Sequence, residues 1–211
     1  MPIAEPATTL TDYLLAAAAW ALAGLLLRTR RDPARLMGAA FAATGLAAGV
    51  GGSLHGFGPG WTGTARAAAW LVTYAAIGLA NLFLLATAIR AFAPGPYQLP
   101  LLGLAGFRFG VYFILLASHR DFRYVVYDLA GTLLALVVLA SLGRSSQAVA
   151  SRWVLVGAAI TLVGALVQRS GVRLHEHLNH NDLFHLIEIG GLYAFYRAAR
   201  GTEALERTIS R

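Results

Sequence analysis

Seven apolar runs, each long enough to cross a bilayer and each closed by a short polar or Gly/Pro-rich stretch, fill this chain almost from end to end. A hydrocarbon core of about 30 Å takes roughly 17 to 25 residues of helix. The runs that meet this length are Leu10 to Leu27, Leu36 to Gly56, Ala67 to Ala91, Leu99 to Ala117, Tyr124 to Leu142, Val149 to Val167 and Leu183 to Ala199. The segments RTRRDP, GFGPGWTG, APGPYQLP, SHRD and GRSSQ, then a polar stretch from Gln168 to Asp182, separate them. Connections this short leave no room for a soluble domain. The sequence predicts an all-α, polytopic membrane protein, with residues 1–211 forming a single seven-helix transmembrane domain.

Composition narrows the chemistry. Only 13% of the 211 residues are charged, against about 25% in a soluble domain. The absence of cysteine excludes disulfides and thiolate metal sites, so any metal must use His, Asp or Glu. All seventeen basic residues are arginine, and without lysine there is no Schiff-base chemistry, so a retinal-type photoreceptor is excluded. The arginines flank the apolar runs in short groups instead of forming one patch, which points to membrane topology and away from nucleic acid.

Arginine bias sets the orientation. With the N-terminus outside, the inner side holds Arg28, Arg30, Arg31, Arg35, Arg90, Arg144, Arg152, Arg197, Arg200, Arg207 and Arg211. The outer side holds Arg66, Arg120, Arg123, Arg169 and Arg173. The C-terminus is therefore expected in the cytoplasm, and the chain in a bacterial inner membrane. Met1 to Thr9 carries Glu5 and no basic residue, so the first run is expected to be a retained helix and not a cleaved signal. The alternating charges of Arg197 to Arg211 fit a short cytoplasmic helical extension resting on anionic headgroups.

In this topology all six histidines fall at or near the outer boundary. His55 and His185 sit in otherwise apolar helix ends, where an ionisable group is costly and usually functional. His119, His175 and His177 read as solvated interfacial residues. A protein that stacks hemes across the bilayer needs His ligands at both depths, so the one-sided arrangement counts against it. Deeper in the bilayer lie Arg108, at about 15 Å, and Asp128 and Glu188, each at about 7 to 10 Å. Arg108 needs a carboxylate partner, either Asp128 or Glu188. In the last run Asn181, His185 and Glu188 recur at helical spacing and are expected to face one neighbour, with Asn179 or Asn181 capping the helix and Asp182 complementing its dipole. In the second run, Gly45 and Gly49 have the small-xxx-small spacing of a close helix contact.

The segments GGSLHGF and HNDLFHLIEIGGLYAFY resemble the seven-helix CREST superfamily of alkaline ceramidases and progestin and adipoQ receptors. They are also similar to an uncharacterised bacterial membrane family with GGxxHGF and HNDLFH segments. The CREST resemblance implies a zinc held by three histidines, with Ser and Asp nearby, and hydrolysis of a lipid amide. Carried over residue by residue, it makes His55, His180 and His185 the metal ligands, with His180 standing beside Asn181, where the family's first histidine of HxxxH falls. Ser53 would orient water or the oxyanion, and Asp128 or Glu188 would shuttle the proton. Ser53 and His55 are two apart, so on a regular helix they diverge by about 200°. The family's acidic residue near the start of the third helix is missing, and Arg66, Trp70 and Tyr74 occupy that region.

Two functions compete at this point. One is a zinc-dependent hydrolase of a lipid amide or ester. The other is a non-enzymatic seven-helix receptor or binder of a lipid or small ligand, with Arg108, Asn181, Asp182, Trp70 and Tyr74 lining its pocket. A proton or solute transporter ranks below both, because no ionisable chain continues toward the cytoplasmic half and the Gly/Pro interruptions do not repeat in two halves. Membrane lipids are the expected partners.

Overall fold

The computed structural model describes residues 2–143, 147–175 and 178–209, with side chains through Gly201. Among them run seven helices: α1 (Pro6–Leu27), α2 (Asp32–Phe57), α3 (Gly63–Phe92), α4 (Gly95–His119), α5 (Arg123–Ser141), α6 (Ala148–Ser170) and α7 (His180–Ile209). A 3-10 turn at Gly58–Gly60 follows α2, and an antiparallel pair of short strands, β1 (Arg173–His175) and β2 (Leu178–Asn179), precedes α7.

Local chemistry sets the helix ends. Pro6 opens α1, and the Asp32-Pro33 pair opens α2, where proline lacks only an N–H that would be orphaned there anyway. Thr62 caps α3, its hydroxyl accepting from the Ala65 N–H at 3.2 Å. Helix α6 stops at Gly171, whose φ of 67° reverses the chain at no Cβ cost. Arg120 takes the same left-handed conformation after α4, the only non-glycine to do so among the described residues.

The helices pack in a bundle in which α1 lies between α2 and α7, α3 packs on α2, and α6 joins α5 to α7. Its core gathers Leu15, Leu26, Met37, Phe41, Leu136 and Phe195 from four helices. Lipid is as apolar as leucine, so burial does not draw such helices together; close backbone approach does. Gly45 and Gly49 show this, since both lie against the Trp20 ring of α1, which donates its indole N–H to the Ala42 carbonyl at 3.3 Å.

Six helices, α1 to α6, are long and apolar enough to cross a membrane, which fits a membrane-embedded protein. Helix α4 stands at the edge. It buries only Ala105, Tyr112 and Leu116, and leaves Leu99, Phe107 and Ile114 between 66% and 79% exposed, as a lipid-facing surface would.

Candidate functional site

The start of α7 is built by a reciprocal cap. The Asn179 side-chain carbonyl accepts from the N–H groups of Asn181 (2.8 Å) and Asp182 (3.4 Å), while Asp182 Oδ2 accepts from the Asn179 N–H at 2.7 Å. This exchange turns Asp182 inward until it is fully buried, and its other oxygen, Oδ1, has no hydrogen-bond partner. One turn further on, His185 points at α1.

Helix α1 meets it with Thr8, Thr11 and Asp12, all buried. His185 Nε2 lies 3.2 Å from Asp12 Oδ1, and Nδ1 lies 3.1 Å from Thr11 Oγ1. A neutral imidazole satisfies both contacts in one tautomer, with Nε2–H donating to the carboxylate and Nδ1 accepting from the Thr11 hydroxyl when that hydroxyl turns to it from the Thr8 carbonyl, 3.1 Å away. Asn179 Nδ2 donates to Thr8 Oγ1 at 3.4 Å and ties the strand to α1. Gly52 of α2 makes room for the group: a Cβ there would stand 2.8 Å from that of Asp12. Asp12 Oδ2 is buried and, like Asp182 Oδ1, unpartnered. Two carboxylates and one imidazole thus share a desolvated neighbourhood, and among the described residues no arginine pairs with either acid. Burying such charge costs several kcal/mol per ion unless a proton or a cation compensates it.

The remaining residues singled out from the sequence fall in separate places. Helix α2 stays regular through Phe57, so Ser53 and His55 diverge. Ser53 donates to the Gly49 carbonyl at 2.8 Å and meets the Tyr13 hydroxyl at 3.0 Å. His55 Nδ1 lies 3.1 Å from Glu5 Oε2 in the segment before α1, which is strapped down by the Ala4 N–H donating to the Gly56 carbonyl at 3.0 Å. The His55 ring stands edge-on to Trp70, which leads through Tyr74 to Phe122 in a row of aromatic contacts. His180 is the first residue of α7 and is half-buried. His119 ends α4 against Tyr124, His175 lies exposed in β1, and His177 lies outside the described residues.

His55, His180 and His185 therefore do not form a three-histidine cradle. Among the described residues no group of three or more His, Asp or Glu side chains is placed to hold a metal ion. Both ring nitrogens of His185 are already engaged, so the residues as arranged do not fit the zinc set implied by the resemblance.

Asp128 belongs to a different cluster. Its Oδ1 pairs with Arg108 at 3.2 Å and its Oδ2 accepts from Asn81 at 2.8 Å. Arg108 also donates to Thr132 Oγ1 at 2.7 Å, and Thr132 donates in turn to the Asp128 carbonyl at 2.8 Å. Of the two acids that could partner Arg108, the structure chooses Asp128. Glu188 faces α6 instead, its Oε1 accepting from Thr161 at 3.1 Å and its Oε2 unpartnered.

The expectation that Asn181, His185 and Glu188 share one neighbour needs correction. Helix α7 is wedged between α6 and α1, so Asn181 (3.4 Å from Gln168) and Glu188 turn to α6 while His185 turns to α1. Sequence reading missed Asp12, Thr11 and Glu5. The available signal was an acid two residues inside the first apolar run. At the exposed turn before α5, Arg123 holds the Asp121 carboxyl below the usual carboxylate range through hydrogen bonds from its guanidinium and its backbone N–H.

No curated protein and no solved structure matches this chain. A family model does, over residues 7–204, from the first turn of α1 into the last helix. The chain belongs to that family, described as a family of unknown function, DUF6962.

Proposed function

We propose that this protein is a seven-span bacterial inner-membrane protein, N-terminus outside and C-terminus in the cytoplasm, that binds a small ligand or lipid headgroup at the outer end of α1 and α7. Helix α7 supports the seventh span by following α6 along its length, with Phe184 against Gly164, Phe195 against Gly157 and Gly201 against Ala150. The arginine excess at the opposite end of the bundle supports the orientation.

One observation carries the binding reading: Asp12 Oδ2 and Asp182 Oδ1 are buried acceptors without donors, beside a histidine whose own bonds are complete. Buried polar atoms are nearly always satisfied in a finished structure, so such a pair marks where another group belongs. Ordinary stability does not call for it, since apolar side chains would fill the same space at lower cost.

The test is mass-spectrometric identification of what co-purifies with the detergent-solubilised protein, alongside its metal content. Wild type should carry a non-protein ligand that His185→Ala loses. If wild type instead carries near-stoichiometric zinc, lost in both His55→Ala and His185→Ala, the binding reading gives way to metal-dependent hydrolysis of a lipid amide or ester.

A further inference from the structure

The group that completes the α1/α7 cluster can be specified by its chemistry. Acceptors dominate what faces it. Helix α1 contributes Asp12, Thr8 and Thr11, α7 contributes Asp182 and His185, and β2 contributes Asn179, whose amide hydrogen is directed at Thr8. From α2 come Gly51 and Gly52, where an added Cβ would stand 3.8 Å from Asp12 Oδ1 and 2.8 Å from Asp12 Cβ, and from α3 the methyl group of Thr73, 3.8 Å from the Gly51 position; His55 of α2 is near enough to act electrostatically on His185. The one basic side chain in contact, His185, already donates to Asp12 if it is neutral. Two carboxylate oxygens are left, each on a residue more than nine-tenths buried. A ligand suited to them must bring positive charge and several N–H donors in a compact head. An anion would be repelled, and a quaternary ammonium has no hydrogen to donate.

We infer that the cluster of Asp12, Asp182 and His185 recognises a primary ammonium group, an inference that rests on the binding reading above. Its three hydrogens match the two orphaned oxygens and leave one for a threonine hydroxyl or water. The ammonium could be the headgroup of an aminophospholipid or a free amine. The exposed arginines at the same end, Arg66 in the first turn of α3 and Arg173 in β1, would meet the phosphate of a lipid and have no such role for a free amine.

The full chain, reconstituted in nanodiscs, is exposed to phosphatidylethanolamine, phosphatidylcholine or free ethanolamine, and retained ligand is read by native mass spectrometry with melting temperature as a second signal. Phosphatidylethanolamine should be retained and phosphatidylcholine not. Asp12→Asn and Asp182→Asn should each weaken retention by about tenfold or more, as expected for removing one partner of a buried charge contact. Retention of free ethanolamine alone assigns the ammonium to a soluble amine, and retention of the phospholipid alone assigns it to a headgroup; both support the inference. Equal retention of the two phospholipids overturns it without needing any variant. So does a co-purifying ligand that depends on His185 but carries no primary amine, and in that case the binding reading survives. A wild type that binds nothing removes both.

Discussion

At the scale of single residues, the buried acids behave differently according to what stands opposite them. Asp128 has a guanidinium and an amide on its two oxygens, whereas Asp12 and Asp182 each keep one oxygen bare. The first arrangement is a structural tie between α4 and α5. Arg108→Met should therefore lower stability by about 2 to 3 kcal/mol, less than for breaking a fully buried pair because the arginine side chain is 29% exposed. Adding Asp128→Asn removes the stranded charge and should restore part of the loss, which thermal melting of the single and double variants in detergent would show. Equal melting of wild type and Arg108→Met would mean that the pair holds nothing together. The sequence disclosed Arg108, Asp128 and His185 because each interrupts an apolar run. It did not disclose Asp12 as His185's partner. Which residues meet across two helices depends on how each is rotated, and a helix apolar on every side, as α1 nearly is, has no polar face from which to read that rotation.

At the scale of elements, helix starts and crossings were legible to different degrees. The NHND segment announces a start capped by Asn179 or Asn181, and Asn179 is the one that caps, so that α7 begins at His180, ahead of the apolar run itself. Asn179→Ala removes both bonds from its side-chain carbonyl and should cost about 1 kcal/mol. Because Asp182 is held inward by the same exchange, hydrogen–deuterium exchange should speed up at the first turn of α7 and also at the facing turn of α1. A change confined to α7 would show that the cap and the cluster are independent. The glycine spacing of α2 likewise foretold a close crossing, and Trp20 is the side chain that fills it. The helical spacing on α7 placed three polar residues on one side but could not show that two different helices would divide that side between them.

At the scale of the whole molecule, the lack of native cysteine makes topology directly measurable. Single cysteines placed at Ser118, at the end of α4, and at Thr29, between α1 and α2, lie at opposite ends of the bundle. In intact cells a membrane-impermeant maleimide should label Ser118→Cys and spare Thr29→Cys until the membrane is opened. The reverse pattern would invert the orientation and place the cluster on the cytoplasmic side. Helix number and order were readable from hydropathy, because length and apolarity are summed along a run and need no partner. The bundle's closure, with the first helix packed beside the last, was not readable, because nothing in either helix alone requires it.

That closure also has a consequence in time. Thr11 and His185 are joined by a contact that spans 174 positions of sequence, and Asp12, next to Thr11, meets the same ring, so the first helix of the bundle is tied to the seventh. During insertion α1 must wait in the membrane with Thr11 and Asp12 unmatched while five more helices are made. A chain interrupted before α7 would leave a buried acid facing lipid, the kind of exposed polarity by which a quality-control protease can tell an unfinished membrane protein from a finished one.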